Sequence, residues 1–188
     1  MRIRLFSFLL LAAALAIGIS SCKKTTLQIE QSLESELLSK YIAKYHPTVT
    51  PKSSGLYFIE TKAPAAGADS IKAGDLVKVL YRGYLIEKND TTGIQDGYEF
   101  DSSGLFEPYS FTVGAGAVIS GWDEAMLYMK DGSEAKLVIP SRLAYSGQVQ
   151  GSIPAYSPLV FYVTIVKVYR STDVWPIIEM RPKVPLNR

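Results

Sequence analysis

The chain has 188 residues, of which 47% are hydrophobic and 20% charged, a globular balance with enough length for one domain and extensions. Lys and Arg total 20 against 18 Asp and Glu, and without Arg2 and Arg4, which lie in a segment read below as removed, the balance is 18 against 18. Nothing in a formally neutral mature chain points to nucleic-acid binding, which needs a basic patch, and neutrality argues against electrostatic adhesion to a membrane, so any membrane attachment has to be covalent.

The N-terminus offers that attachment. Arg2 and Arg4 precede an apolar run from Leu5 to Ile19, too short for a comfortable membrane span and patterned as a secretory signal. It closes on Ile19-Ser20-Ser21-Cys22, which resembles a bacterial lipobox: a branched residue, two small ones, then the cysteine. Cys22 is the single cysteine of the chain, which rules out an intramolecular disulfide or a cysteine metal site and makes it the expected lipidation residue.

Lys23-Lys24-Thr25-Thr26 reads as a polar tether, followed by a helix over about Leu27 to Tyr45. Its apolar residues Leu27, Leu33, Leu37, Leu38, Tyr41, Ile42 and Tyr45 recur at helical spacing. Such a helix is a stalk, a cover packed on its own domain, or a dimerisation or partner helix. His46-Pro47 and Thr50-Pro51 end it, because the residue before proline avoids the helical region. His46 is the only histidine, so it belongs to no His-rich metal site.

From Gly55 to about Arg170 the pattern is antiparallel sheet with one short helix. Gly55–Thr61 is strand-like, and Ala63–Gly74 is a loop rich in Ala, Gly and Pro. Leu76–Ile86 alternates with a two-residue period, placing Val77, Val79, Tyr81 and Leu85 on one face and Lys78 and Arg82 on the other. Glu87–Asp96 is polar, carries Asn89-Asp90 and Gly93, and reads as a turn or surface insertion. Tyr98–Phe100 and Tyr109–Val113 are short strands. Ser120 is the expected N-cap of a helix over Gly121–Met129, with Asp123 and Glu124 in its first turn. Glu134–Pro140 is a further strand, and Leu159, Phe161, Val163 and Ile165 form one apolar face of the last.

Five blocks in this stretch carry a resemblance. Tyr81-Arg82-Gly83, Phe100-Asp101-Ser102-Ser103 and Val118-Ile119-Ser120-Gly121-Trp122-Asp123-Glu124 are followed by Ile139-Pro140 with Ala144-Tyr145, then Ile153-Pro154 with Leu159-Val160-Phe161-Tyr162-Val163. In order and approximate spacing, over about 115 residues, they resemble the FKBP-type peptidyl-prolyl cis/trans isomerases. The resemblance implies an α+β fold, a curved antiparallel sheet wrapped around one short α-helix, here with an N-terminal helical extension. The expected organisation is a signal peptide over 1–21, a lipidated tether and helix over 22–52, the isomerase domain over 53–170 and a Pro-containing tail over 171–188.

Rotation about an X-Pro bond breaks no covalent bond. It twists an amide whose resonance imposes a barrier of roughly 18–20 kcal/mol. A dry apolar pocket supports the charge-separated planar form less well than the twisted one, so the chemistry calls for an aromatic cage with a few placed polar atoms. It needs no nucleophile, metal or cofactor. By resemblance, Trp122 forms the pocket floor, with Tyr81, Phe100, Tyr109, Val118, Ile119 and Phe161 as walls. Asp101, Tyr145 and Phe100 are the catalytic set: Asp101 lies beside the substrate amide, and Tyr145 and the Ile119 amide hold substrate carbonyls.

The sequence departs from the family pattern on one rim. Ser146 follows the Ala-Tyr pair where glycine is usual, Ser152 stands before Ile153-Pro154 where an apolar residue often overhangs the pocket, and Tyr109 replaces the common phenylalanine. The expected function is acceleration of proline-limited folding of exported proteins. The alternatives are a catalytically weak client-binding chaperone on the same scaffold and a component of an envelope complex. The expected partners are proline-containing segments of exported proteins, the membrane through the lipid anchor, and, by resemblance, macrolide inhibitors. The expected location is a bacterial cell envelope, facing the periplasm.

Overall fold

The computed structural model describes residues 25–89, 93–104 and 106–170. The signal segment 1–21, Cys22 and the tail 171–188 lie outside the described residues. The chain divides at Ser32 and Leu33. Before the division, Thr26–Ser32 forms the start of helix α1, Thr26–Tyr45. Thr25 and Gln28 cap it reciprocally: the Gln28 amide donates to Thr25 Oγ1 at 3.3 Å and the Thr25 amide donates to Gln28 Oε1 at 2.9 Å, a capping box written as Thr-x-x-Gln.

The unit from Leu33 onward holds the rest of α1 and, among the described residues, six strands in one antiparallel sheet: β1 Tyr57–Lys62, β2 Leu76–Asn89, β3 Gly93–Ser102, β4 Tyr109–Thr112, β5 Glu134–Ile139 and β6 Leu159–Tyr169. Helix α2 spans Ser120–Met126, and a 3-10 turn spans Ser141–Leu143. The strand order is β1-β5-β6-β2-β3, with β4 also on β2. The sheet packed on one short helix, with α1 as the N-terminal extension, is the expected α+β architecture.

Strand β2 organises the sheet. One edge pairs with β6 from Leu76↔Tyr169 to Leu85↔Leu159. Its other edge is shared: Leu76–Val79 pair with β4, and Arg82–Asn89 pair with β3. At the change of partner, Ser103 serves Tyr81 instead of a strand, its Oγ accepting the Tyr81 N–H at 3.0 Å and its N–H donating to the Tyr81 carbonyl at 3.1 Å. The backbone stays satisfied while the sheet edge opens beside Tyr81.

Both sheet faces are covered. The inner face (Val77, Val79, Leu137, Ile139, Leu159, Phe161, Val163 and Ile165) packs against Trp122, Ala125 and Met126 of α2. On the outer face, Ile86, Ile94, Val138 and Val160 pack under Leu38, Tyr41 and Ile42 of α1. That second cover explains why β5 is buried at five consecutive positions and Leu159-Val160-Phe161 at three, where a one-sided antiparallel strand would alternate. Of the readings left open for α1, packing on its own domain describes Leu38, Tyr41 and Ile42.

Three local readings are corrected. Glu87–Asp96 is not a loop insertion: β2 continues to Asn89 and β3 begins at Gly93, with Glu87↔Gln95 and Ile86↔Asp96 in register. Burial of Ile86 and Ile94 beneath α1 extends the pairing through polar sequence. Ser120 is not an N-cap: Ile119 holds that position with no side-chain cap, and Ser120 Oγ donates to the Leu143 carbonyl at 3.2 Å. The helix also ends earlier than read, at Met126.

Candidate functional site

A cavity of about 250 Å³ opens between β2, the start of α2 and the segment after β5. It is lined by Tyr81, Asp101, Tyr109, Ala117, Val118, Ile119, Trp122, Tyr145 and Phe161. Eight of these are residues singled out from the sequence. Phe100 is the exception: it is absent from the lining and packs edge-on against Phe161, centroids 5.5 Å apart, behind the wall. Ala117 was missed, and the Gly114-Ala115-Gly116-Ala117 run of small residues leading into Val118 was its signal.

The floor is Trp122, 4% exposed. Tyr81 and Phe161 both meet its ring edge-on, each with centroids 5.1 Å away at 88° and 85°. Phe111 supports it from behind at 5.8 Å and stacks on Tyr109 at the mouth. Such T-shaped pairs add about 0.5–1.5 kcal/mol each beyond area burial, which holds the rings in place. The Trp122 indole N–H is buried and has no partner among the described residues.

Two glycines of the sequence blocks are there for space. A Cβ on Gly83 would lie 2.7 Å from Phe100 Cζ and 2.7 Å from Phe161 Cε1, and one on Gly121 would lie 2.5 Å from Ile139 Cγ2. Tyr-x-Gly and Gly-Trp thus record close approaches of backbone to the rings and to β5. Asp123 braces the loop before α2, its carboxylate accepting from the Gly114 amide at 2.8 Å and the Gly116 amide at 3.3 Å. Ala117, Val118 and Ile119 are carried at the end of that loop.

The polar atoms sit at the mouth. Tyr81 Oη donates to Asp101 Oδ2 at 2.7 Å, so β2 and β3 jointly fix the carboxylate. Burial, then the bond to Asp101, push the Tyr81 hydroxyl well above the usual tyrosine range. Burial and the nearby Asp101 charge also raise Tyr145. Both hydroxyls are therefore protonated donors at neutral pH.

The altered rim is a tied turn. Ser146 adopts φ +53°, the left-handed region that favours glycine. Its amide donates to the Ser141 carbonyl at 2.8 Å and its carbonyl accepts the Tyr156 amide at 2.7 Å. Serine occupies the usual glycine position in a glycine-like conformation.

Elsewhere, a hollow of about 510 Å³ lies across Leu80, Arg82, Tyr162 and Thr164. It is larger than the cage but carries neither the indole floor nor the carboxylate, and volume does not choose the site.

An antiparallel sheet packed on a short helix, with an aromatic cage over the helix's tryptophan and a tyrosine-held carboxylate at its mouth, defines a pocket for a small apolar ring flanked by hydrogen-bonding groups. The family model of FKBP-type peptidyl-prolyl cis-trans isomerases matches residues 67–166. The chain is 41% identical over 120 residues to FK506-binding protein 1A of Neurospora crassa, covering 63% of this chain and 92% of that one. It is 38% identical over 117 residues to an FK506-binding protein of Neisseria meningitidis serogroup C, covering 61% and 98%. The crystal structure of a peptidyl-prolyl cis-trans isomerase from Pseudomonas syringae pv. tomato superposes with a TM-score of 0.62 at 28% identity, covering 79% of this chain and 99% of that one. The chain belongs to the FKBP-type peptidyl-prolyl cis-trans isomerases.

Proposed function

We propose that the Trp122 cage is where this isomerase turns X-Pro bonds, with proline on the indole and Asp101 and Tyr145 at its edge. The observation that carries the reading is the Tyr81–Asp101 bond at 2.7 Å over a tryptophan boxed edge-on by Tyr81 and Phe161.

Resonance in a planar X-Pro amide places negative charge on oxygen and positive charge on nitrogen, and twisting removes both. A cage of rings and aliphatic groups solvates the planar dipole poorly and the twisted amide well, which lowers the barrier. The Asp101 carboxylate adds to this, because a fixed negative charge beside the amide oxygen disfavours the form in which that oxygen is negative. A donor aimed at the rotating carbonyl would have the opposite effect. Tyr145 and the Ile119 amide are therefore assigned to the flanking carbonyls, where they hold the chain on either side while the bond turns.

We further read the protein as a lipid-anchored envelope enzyme acting on exported proteins, with FK506-type macrolides as inhibitors of the same cage. Support for the anchor is the Arg2/Arg4 region, the apolar run and Ile19-Ser20-Ser21-Cys22. Support for the macrolide reading is the intact cage together with relatives named for FK506 binding.

The test is cis-to-trans relaxation of short X-Pro peptides with the full chain and its Asp101→Val and Tyr145→Phe variants. Acceleration that falls in both supports the assignment, while full activity in both removes it. Fractionation of cells carrying Cys22→Ala separately tests the anchor: protein that stays in the membrane fraction contradicts lipidation there.

A further inference from the structure

We infer that Glu34, on the outer-face helix α1, is a positioning residue for the pocket, acting through Ser141 on the turn that presents Tyr145. The inference rests on the proposed role of Tyr145 and extends it to a residue 107 positions from Ser141 in sequence.

Ser141 is 3% exposed and opens the 3-10 turn after β5. Its two donors both go to one carboxylate: the backbone N–H to Glu34 Oε1 at 2.6 Å and Oγ to Glu34 Oε2 at 2.7 Å. The Ser141 carbonyl in turn receives the Ala144 and Ser146 amides, each at 2.8 Å. Those two residues flank Tyr145. Ser146 then binds the Tyr156 amide through its carbonyl, and Tyr145's own carbonyl accepts the Gln148 amide at 3.0 Å. Glu34, Ser141, the two amides around Tyr145 and the far side of the rim thus form one continuous chain of hydrogen bonds.

The carboxylate is held from the other end of its helix. Tyr41 donates to Asp96, while Lys44 Nζ and Tyr45 Oη donate to the Ile94 carbonyl at 2.8 and 3.0 Å. Leu38, Tyr41 and Ile42 are buried against β2, β3, β5 and β6 residues. Helix α1 is thereby fixed to the outer face while Glu34 reaches the turn at the end of β5. Loss of the carboxylate leaves a buried N–H and hydroxyl unpaired and frees the turn to reorient, moving the Tyr145 hydroxyl relative to Asp101 across the cavity.

A double-mutant cycle separates positioning from general stability. Glu34→Ala lowers kcat/KM for an X-Pro peptide by about fivefold in the native background, within the range of coupled neighbours, and by less than about twofold in a Tyr145→Phe background. Amide hydrogen exchange at Ala144 and Ser146 quickens in Glu34→Ala while exchange in β6 stays slow. Glu34→Gln, which keeps one acceptor, recovers part of both effects and carries the same cycle if the alanine variant does not fold. Equal losses in the two backgrounds, or unchanged exchange at Ala144 and Ser146, would overturn the inference. An inert Tyr145→Phe would instead remove the role given to Tyr145, and the exchange readout tells the two failures apart because it does not depend on activity.

Discussion

The Tyr81 hydroxyl donates to the Asp101 carboxylate at 2.7 Å across the point where β2 changes partner from β4 to β3. A break in sheet pairing thus opens the pocket and supplies the bond that orients its charge. Tyr81→Phe keeps the ring on Trp122 and removes only that bond. The expected result is a fall in kcat/KM of about threefold to tenfold, the worth of one ordinary hydrogen bond because this one sits exposed at the mouth, with the melting temperature nearly unchanged. Peptide relaxation and thermal melts on the same samples check both halves.

Gly83 is a second, sharper probe of the cage. A Cβ there meets Phe100 and Phe161 at 2.7 Å, so Gly83→Ala has to displace rings that hold one another edge-on. A loss of about 1–3 kcal/mol in unfolding free energy is expected from overpacking, together with reduced isomerase activity. Denaturant melts with an unchanged slope would locate the loss in the native packing.

Ser146→Gly should act in the other direction. A serine at φ +53° sits in a region costing roughly 1–2 kcal/mol for a residue with a Cβ, part of which glycine returns as unfolded-state entropy. A net gain of about 0.5–1 kcal/mol is expected in urea melts.

Beneath α1, Lys136 is 6% exposed and lies 4.8–5.5 Å from the ring centroids of Tyr162, Tyr41 and Tyr45, with Asp96 3.4 Å away. Burial lowers the lysine's pKa, and Asp96 opposes the shift. Asp96 also accepts the Tyr41 and Tyr162 hydroxyls. Asp96→Ala strands an ammonium and two hydroxyls and should cost about 2–3 kcal/mol. Lys136→Met, which leaves Asp96 its tyrosines, should be near neutral or stabilising. Unfolding free energies of the two variants decide this.

Four buried or half-buried tyrosines set the alkaline limit. Tyr41, Tyr81, Tyr145 and Tyr162 are all raised above the ordinary value, chiefly by burial. The folded state therefore keeps protons that the unfolded state releases above about pH 10. Their contribution is complete below that pH and is lost as pH rises further, so the melting temperature should fall steeply above pH 10. Tyr41→Phe and Tyr162→Phe should flatten the fall.

The cage was legible because its residues lie in short blocks whose spacing follows strands and turns: Tyr81 with Gly83, Phe100 with Asp101, Val118 through Trp122. The reason for Gly83 and Gly121 was not, since it depends on rings and strands brought in from elsewhere. The β2–β3 extension was misread because Asn89, Asp90 and Gly93 carry turn chemistry, while the burial of Ile86 and Ile94 comes from a helix some fifty residues earlier. Ser120 has cap chemistry by type but is used across the fold, on Leu143. The Glu34–Ser141 contact has no local signal at all, because a partly exposed glutamate on an amphipathic helix looks like solvent-facing charge until the sheet puts the β5 turn beneath it. The Thr25-x-x-Gln28 box does have a local signature, but the lysines and threonines of Lys23–Thr26 read equally as a polar tether.

The most direct test of the central claim is two-dimensional exchange NMR of an X-Pro peptide at saturating concentration, with catalytic amounts of the full chain and of Asp101→Val. The Trp122 indole N–H resonance reports occupancy of the cage in the same tube. The account predicts that the peptide shifts this resonance with both proteins, while cis/trans exchange is accelerated by the native chain and by about tenfold less or weaker with Asp101→Val. Exchange accelerated equally by both proteins, or acceleration with no movement of the Trp122 resonance, would contradict it.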